Sequence, residues 1–331
     1  SHSRLTFRTR RRYPGCLTTT LLITILFGVV SASWDRVGQW LNEGALQPSS
    51  SDLRLASEAF DNGDLNAAIN LARKMWLTNP DHTESLTLLV RALIYRSYSD
   101  YNRKIDREIA LQLTTEANKR LPDDPDVLAI HAFALQTAGN PVDAWNAAYT
   151  ALNLQPDNTL ARIALALSYG RVGGYENALR ESQQAVAAND KWQLDAQRAL
   201  AISFSDLGRY QEALDVTEEA INSNNKLFIL HFERASYAMQ IGDMDTATVA
   251  YFHVLAFDDD NVKARLRMCE LSSLLSERNT AIIYCREVTE LAPNWLDGWH
   301  MLGREYYLNG EFSAAQQTLN RCSSLAIAQN M

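Results

Sequence analysis

The sequence predicts an all-α chain of two unequal parts: a single transmembrane helix, then a helical solenoid of about eight repeated units. Three observations predict it. An uncharged run of 22 residues, Tyr13 to Trp34, follows a cluster of arginines. A glycine followed five residues later by an alanine recurs at a spacing near 34, from Gly63 and Ala68 to Gly310 and Ala315. Glycine (14) and proline (8) are scarce among 331 residues of which 47% are hydrophobic. That composition leaves ample core and disfavours turn-dense all-β folds.

The first element is residues 1–12. They carry Arg4, Arg8, Arg10, Arg11 and Arg12 and no acid. Residues 13–34 follow as the spanning segment, with Leu17, Leu21, Leu22, Ile25, Phe27 and Val30 at its apolar centre. A helix of 22 residues reaches about 33 Å at ~1.5 Å per residue, enough for a hydrocarbon core of ~30 Å. Thr18, Thr19, Thr20 and Thr24 lower the hydropathy, but a threonine hydroxyl can bond the carbonyl one turn back. Val30-Ser31-Ala32 also fits the small-residue cleavage site of a secretory signal peptide, and the Arg- and Ser/Thr-rich start fits an organellar transit peptide. The expectation carried forward is a retained signal-anchor. Positive residues stay on the cytoplasmic side, so residues 1–12 are expected inside and the rest of the chain outside the cytoplasm. Residues 35–48 form a juxtamembrane segment and linker; Trp40 in it and Trp34 at the end of the spanning segment are expected near the headgroup layer.

The body is acidic. Removing the five N-terminal charges from the net −8 leaves −13 on the remaining residues. Such a surface does not suit a phosphate-backbone binder, so no nucleic-acid partner is expected. No CxxC, HExxH, GxxxxGK[ST] or GxGxxG occurs. The chain is therefore expected to be no enzyme, to hold no cofactor and to take no small-molecule substrate. Four cysteines are too few and scattered for a disulfide scaffold. The six histidines show no ligand spacing, so no metal is expected.

Residues 49–329 divide into units at 49–82, 83–124, 125–158, 159–192, 194–227, 228–261, 262–295 and 296–329. The turn glycines are Gly63, Gly139, Gly173, Gly208, Gly242 and Gly310. The following alanines are Ala68, Ala144, Ala178, Ala213, Ala247 and Ala315; Ala110 and Ala281 stand in the two units without a turn glycine. Pro80, Pro122, Pro156 and Pro293 close the second helix. Ala56, Ala132, Ala166, Ala201, Ala235 and Gly303 face those alanines from the first helix. Two antiparallel helices approach closely only where side chains are small, and each hairpin must stack on its neighbours to bury its face.

The last unit reads Trp299-x2-Leu302-Gly303-x2-Tyr306, then Gly310, Phe312 and Ala315. This resembles the tetratricopeptide repeat, a helix–turn–helix of 34 residues. The resemblance covers most of the chain, and its motifs are specific for fold rather than ligand. It implies a right-handed superhelix with the first helices lining a concave groove. It implies further that Phe133, Leu167, Arg198, Ile202, Phe232, Lys263, Arg267, Arg304 and Tyr307 face that groove as partner-binding residues. The apolar members suit a peptide or amphipathic helix, although packing between neighbouring first helices would bury part of them. The carboxylate clamp of chaperone-binding relatives is matched at Lys263 and Arg267 only. Ile202 and Glu233 stand where that clamp has asparagines, and Glu233 would repel a carboxylate.

The second unit is eight residues longer than the others. Its excess lies within residues 95–107 and carries Tyr95, Tyr98, Tyr101 and Arg103. Tyrosine and arginine are frequent at binding hot spots, so the excess is expected either to project as a docking extension or to be a loop insertion without consequence. Cys269, Cys285 and Cys322 are expected as buried thiols acting as small hydrophobes, with a Cys269–Cys285 disulfide the alternative in an oxidising compartment. The functional expectation is a membrane-anchored scaffold or adaptor. It would sit in the bilayer through its N-terminal helix and bind other proteins as a subunit of a membrane complex. A transient assembly factor and a substrate-recognition module for an enzyme partner are the rivals.

Overall fold

A computed structural model describes residues 52–101 and 103–329. The predicted anchor residues Leu17, Leu21, Leu22, Ile25, Phe27 and Val30 lie outside the described residues. No helix among the described residues is long and apolar enough to cross a membrane.

Sixteen α-helices follow one another, with no strand among the described residues. They are α1 (Asp52–Asp61), α2 (Leu65–Thr78), α3 (Thr83–Ser99), α4 (Lys104–Arg120), α5 (Pro125–Thr137), α6 (Pro141–Leu154), α7 (Thr159–Arg171) and α8 (Tyr175–Ala188). Then come α9 (Gln193–Asp206), α10 (Tyr210–Ser223), α11 (Phe228–Gln240), α12 (Met244–Phe257), α13 (Val262–Leu274), α14 (Arg278–Leu291), α15 (Leu296–Leu308) and α16 (Phe312–Ala328). Each odd-numbered helix pairs with the next as a hairpin, and successive hairpins stack. Odd-numbered helices also pack on one another, as α5 does on α7 and α7 on α9.

Local chemistry sets the boundaries. Asp64, Asn158, Asp243 and Asn261 each accept a backbone N–H three residues on, capping α2, α7, α12 and α13. The six turn glycines share φ between +73° and +91°, where a side chain is strained. Ser276 takes the same left-handed turn without a glycine, at φ +64°. The paired small residues form the hairpin seams: Ala56 and Ala68, Ala132 and Ala144, Ala235 and Ala247 are all fully buried. At Gly303 a Cβ would come within 2.6 Å of the Leu319 side chain, so any larger residue there requires Leu319 to move.

The array closes on itself. Asn224 Nδ2 donates to the Asp61 carbonyl (3.1 Å) and Lys226 Nζ to Asn62 Oδ1 (2.8 Å). A Cβ on Gly63 would stand 2.4 Å from the Lys226 carbonyl oxygen. The first hairpin turn therefore meets the α10–α11 loop, about 160 residues away, on a second count besides φ that requires glycine at this turn.

Cys269 of α13 and Cys285 of α14 form a disulfide, with Cα atoms 5.3 Å apart. This corrects the expectation of two free buried thiols. Both are core positions of one hairpin, which brings them within bonding reach. Cys322 is free and half-buried.

Candidate functional site

The concave side of the solenoid is occupied by the chain's own helix. α3 has 17 residues where α5, α7, α11, α13 and α15 have 13. Its added turn reaches across the bore and contacts α11. Because α3 is surrounded, Leu86 to Val90 and Ala92 to Tyr95 are all buried, a pattern no amphipathic surface helix shows. This overturns the expectation of an outward docking extension. Tyr95 has no exposed surface, Tyr98 and Tyr101 are half-buried, and Arg103 is partly covered beside Asp100 at 2.9 Å. The excess residues turn inward, where the Tyr95 hydroxyl and the Tyr98 and Ser99 carbonyls each meet a partner.

The inner end of the contact is a buried charge cluster. Tyr95 Oη donates to Asp195 Oδ1 at 2.8 Å, and Arg91 Nε donates to the same oxygen at 3.1 Å. Arg91 Nη2 stands 2.6 Å from Asp195 Oδ2 as an ion pair. The Arg91 guanidinium lies 4.3 Å from the Phe60 ring centroid. Arg198 lies 4.8 Å from the Tyr95 ring and grips Glu233 in a two-pronged pair of 3.0 and 2.5 Å. Burial opposes the charge on Arg198, but Glu233 and Tyr95 outweigh it and carry its pKa above the ordinary arginine range. Burial first, then the Asp195 charge, pushes the Tyr95 hydroxyl up.

The outer end is tied to the seventh and eighth hairpins. Lys263 Nζ donates to the Tyr98 carbonyl and sits 4.2 Å from the Phe232 ring. Burial, then the nearby Arg267, lowers the Lys263 pKa to about 8. Asn261 Nδ2 donates to the Ser99 carbonyl at 3.4 Å, and Tyr101 packs on Trp295 with ring centroids 5.1 Å apart. These donors serve carbonyls at the α3 C-terminus, which lack intrahelical partners.

Concave spaces border α3. One, of about 940 Å³, lies between α1, α3, α9 and the α10–α11 loop, with Trp192 and Lys226 in its wall. A second, of about 470 Å³, brings together Phe133, Leu167, Arg198 and Ile202 with Tyr98 and Glu233. A third, of about 480 Å³, brings together Lys263, Arg267, Tyr101 and Trp295. Arg304 and Tyr307 stand apart from all three, exposed near the last hairpin, where Tyr307 meets Phe312 edge-on at 5.5 Å.

The predicted groove residues thus separate into two kinds. Phe133, Phe232 and Arg198 are 3, 7 and 8% exposed and belong to the frame. Leu167 and Ile202 are half-buried, Arg267 is exposed beside Glu270, and Arg304 and Tyr307 are open. Sequence reasoning missed Arg91, Asp195, Asn261 and Trp295. The available signal was Asp195 in the first turn of an inner helix, with an arginine at an inner position of the one overlong unit. No group of three or more metal-ligating side chains occurs among the described residues.

Comparison with known proteins gives the fold a name. A family model described as tetratricopeptide repeat matches residues 296–326. No curated protein matches the chain. Among solved structures, a chain of the APC/C hetero-tetramer Cut9–Hcn1 superposes with a TM-score of 0.64 at 15% identity, covering 84% of this chain and 53% of that one. The human IFIT1 dimer with m7Gppp-AAAA superposes at 0.56 and 16% identity, covering 80% of this chain and 68% of that one. This chain thus spans about half the length of the Cut9–Hcn1 chain it matches. At these identities the likeness is one of fold: a tetratricopeptide-type helical solenoid, an architecture suited to protein–protein interaction.

Proposed function

We propose that this chain is a membrane-anchored scaffold that holds protein partners as a subunit of a membrane complex, with its solenoid on the extracytoplasmic side. The observation that carries the reading is the closed, internally braced array. A repeat protein that fills its own groove with a tied helix presents fixed surfaces rather than a clamp for a free peptide. The basic-then-apolar order of residues 1–34 supports the anchor and its orientation. The Cys269–Cys285 bond supports an oxidising compartment. Partner contacts then fall on the groove residues left open, Leu167, Ile202, Arg267, Arg304 and Tyr307, while Tyr95, Phe133, Arg198, Phe232 and Lys263 hold the frame. The RNA held by human IFIT1 is not expected here, because the body carries a large excess of acid.

Protease protection tests the topology. Protease added from the cytoplasmic side of sealed membranes should leave the solenoid intact until detergent is present. Digestion without detergent would overturn the orientation, and recovery of the whole chain in the soluble fraction would overturn the anchor.

A further inference from the structure

α12 lies in the outer layer yet carries one charged residue, Asp245, in its 14. Val249, Phe252 and Ala256 follow Asp245 at spacings of four, three and four, so the four residues form one stripe along the helix. All four are exposed, Val249 by 57% and Phe252 by 49%. Phe257, 58% exposed, extends the apolar surface at the C-terminal end, and Asp258, Asp259 and Asp260 follow it directly. The stripe is therefore two turns of apolar surface bracketed by carboxylates at both ends. Of the arginines flanking α12 in sequence, Arg234 pairs with Glu218 at 3.1 Å, and Arg265 pairs with Glu287 while its other Nη donates to the Asp259 backbone carbonyl, so neither forms an ion pair with a carboxylate of the bracket. α6 does not match the pattern, because Asn146 and Asn153 interrupt its exposed Val142 and Tyr149, and Trp145 stacks on Tyr149.

We infer that the α12 stripe is a docking surface for an amphipathic helix of a partner protein whose apolar face is flanked by lysine or arginine. The length and spacing fit apolar anchors at i, i+3 and i+7 of a partner helix. The acidic bracket selects basic ends and sets the register of docking. It also disfavours an anionic lipid surface, which like charge repels. A second copy of this chain would bring the same acidic bracket against itself. The inference does not depend on the membrane anchor, because it concerns only the outer face of the sixth hairpin.

The test places a photoreactive benzoylphenylalanine at position 252 of the full chain in cells, with position 183 on the exposed face of α8 as control. Cross-linked segments are identified by mass spectrometry. The expected result is a discrete adduct from position 252 but not 183, mapping to a helix with basic residues within a turn of its apolar face. Replacing Asp259→Lys and Asp260→Lys should lower its yield about threefold or more, since opposite charge across an interface drives encounter. Both aspartates are exposed, and unchanged thermal melting will show that the variant is folded. Adducts to lipid, to another copy of this chain or to a segment without basic residues would each overturn the inference, as would no adduct or a yield indifferent to the double replacement.

Discussion

Replacing Asp195→Ala probes the α3 strut at its most sensitive point. The Asp195 side chain is 1% exposed, accepts a hydrogen bond from the Tyr95 hydroxyl at 2.8 Å and pairs with Arg91 at 2.6 Å. Truncation leaves a guanidinium without its buried counter-charge and a phenol without its acceptor. Breaking a buried ion pair from one side costs about 3–5 kcal/mol. Tyr95→Phe removes only a hydrogen bond to a charged group and should cost roughly 1.5–3 kcal/mol. The double variant Arg91→Met with Asp195→Leu removes both charges and should recover most of the loss, because no orphaned charge remains. Urea unfolding gives the magnitudes, and hydrogen exchange locates them. Amides of residues 91–101 and 193–206 should lose protection first, while α14 to α16 stay protected. A loss below about 1 kcal/mol for Asp195→Ala, on a scale where surface changes stay within ±0.5 kcal/mol, would refute the reasoning. Unchanged protection of residues 91–101 would refute it equally.

Two further outcomes follow from the same contacts. Lys263 has a folded-state pKa of about 8, below its unfolded value, so between pH 8 and 10 the unfolded chain holds the extra proton. Stability should therefore rise with pH across that window, and Lys263→Met should flatten the rise; a wild-type curve parallel to that of Lys263→Met would contradict the burial of this ammonium. Reducing the Cys269–Cys285 bond opens a loop of sequence separation 16, and a loop of about that length contributes roughly 3 kcal/mol in the chain-entropy account. Reductant should lower the urea midpoint and expose α13 and α14 to exchange before α5 to α8; an unchanged midpoint would remove the bond from the account.

The hairpin array was legible because its determinants are local. Ala68, Ala144 and Ala247 mark helix seams by size, and Gly63, Gly139 and Gly310 mark turns by backbone geometry. Ser276 shows the limit of the glycine signal, since the same turn forms without it. The path of the overlong second unit was not legible. Tyr95, Tyr98 and Tyr101 suit a hot spot and an interior strut equally well by composition. What decides between them is Asp195, 100 residues downstream of Tyr95, and Lys263, 165 residues downstream of Tyr98. Reasoning from repeats assumes that each unit touches only its neighbours, and the closed superhelix breaks that assumption. For the same reason Phe133 and Phe232, placed in the groove by their repeat position, are core residues once the bore is filled. Charge substitution at either should unfold its hairpin rather than only release a partner. The disulfide was half legible: Cys269 and Cys285 were both expected as buried residues of the seventh unit, but the oxidation state depends on compartment.

Purification of the full chain from native membranes in a gentle detergent, with quantitative mass spectrometry of what accompanies it, tests the scaffold reading most directly. The account predicts a fixed set of integral membrane proteins at constant stoichiometry, retained when the groove-frame residues are intact. Recovery of the chain alone, or with substoichiometric mixed clients, would contradict a permanent subunit and point to a transient assembly factor or a free adaptor in its place.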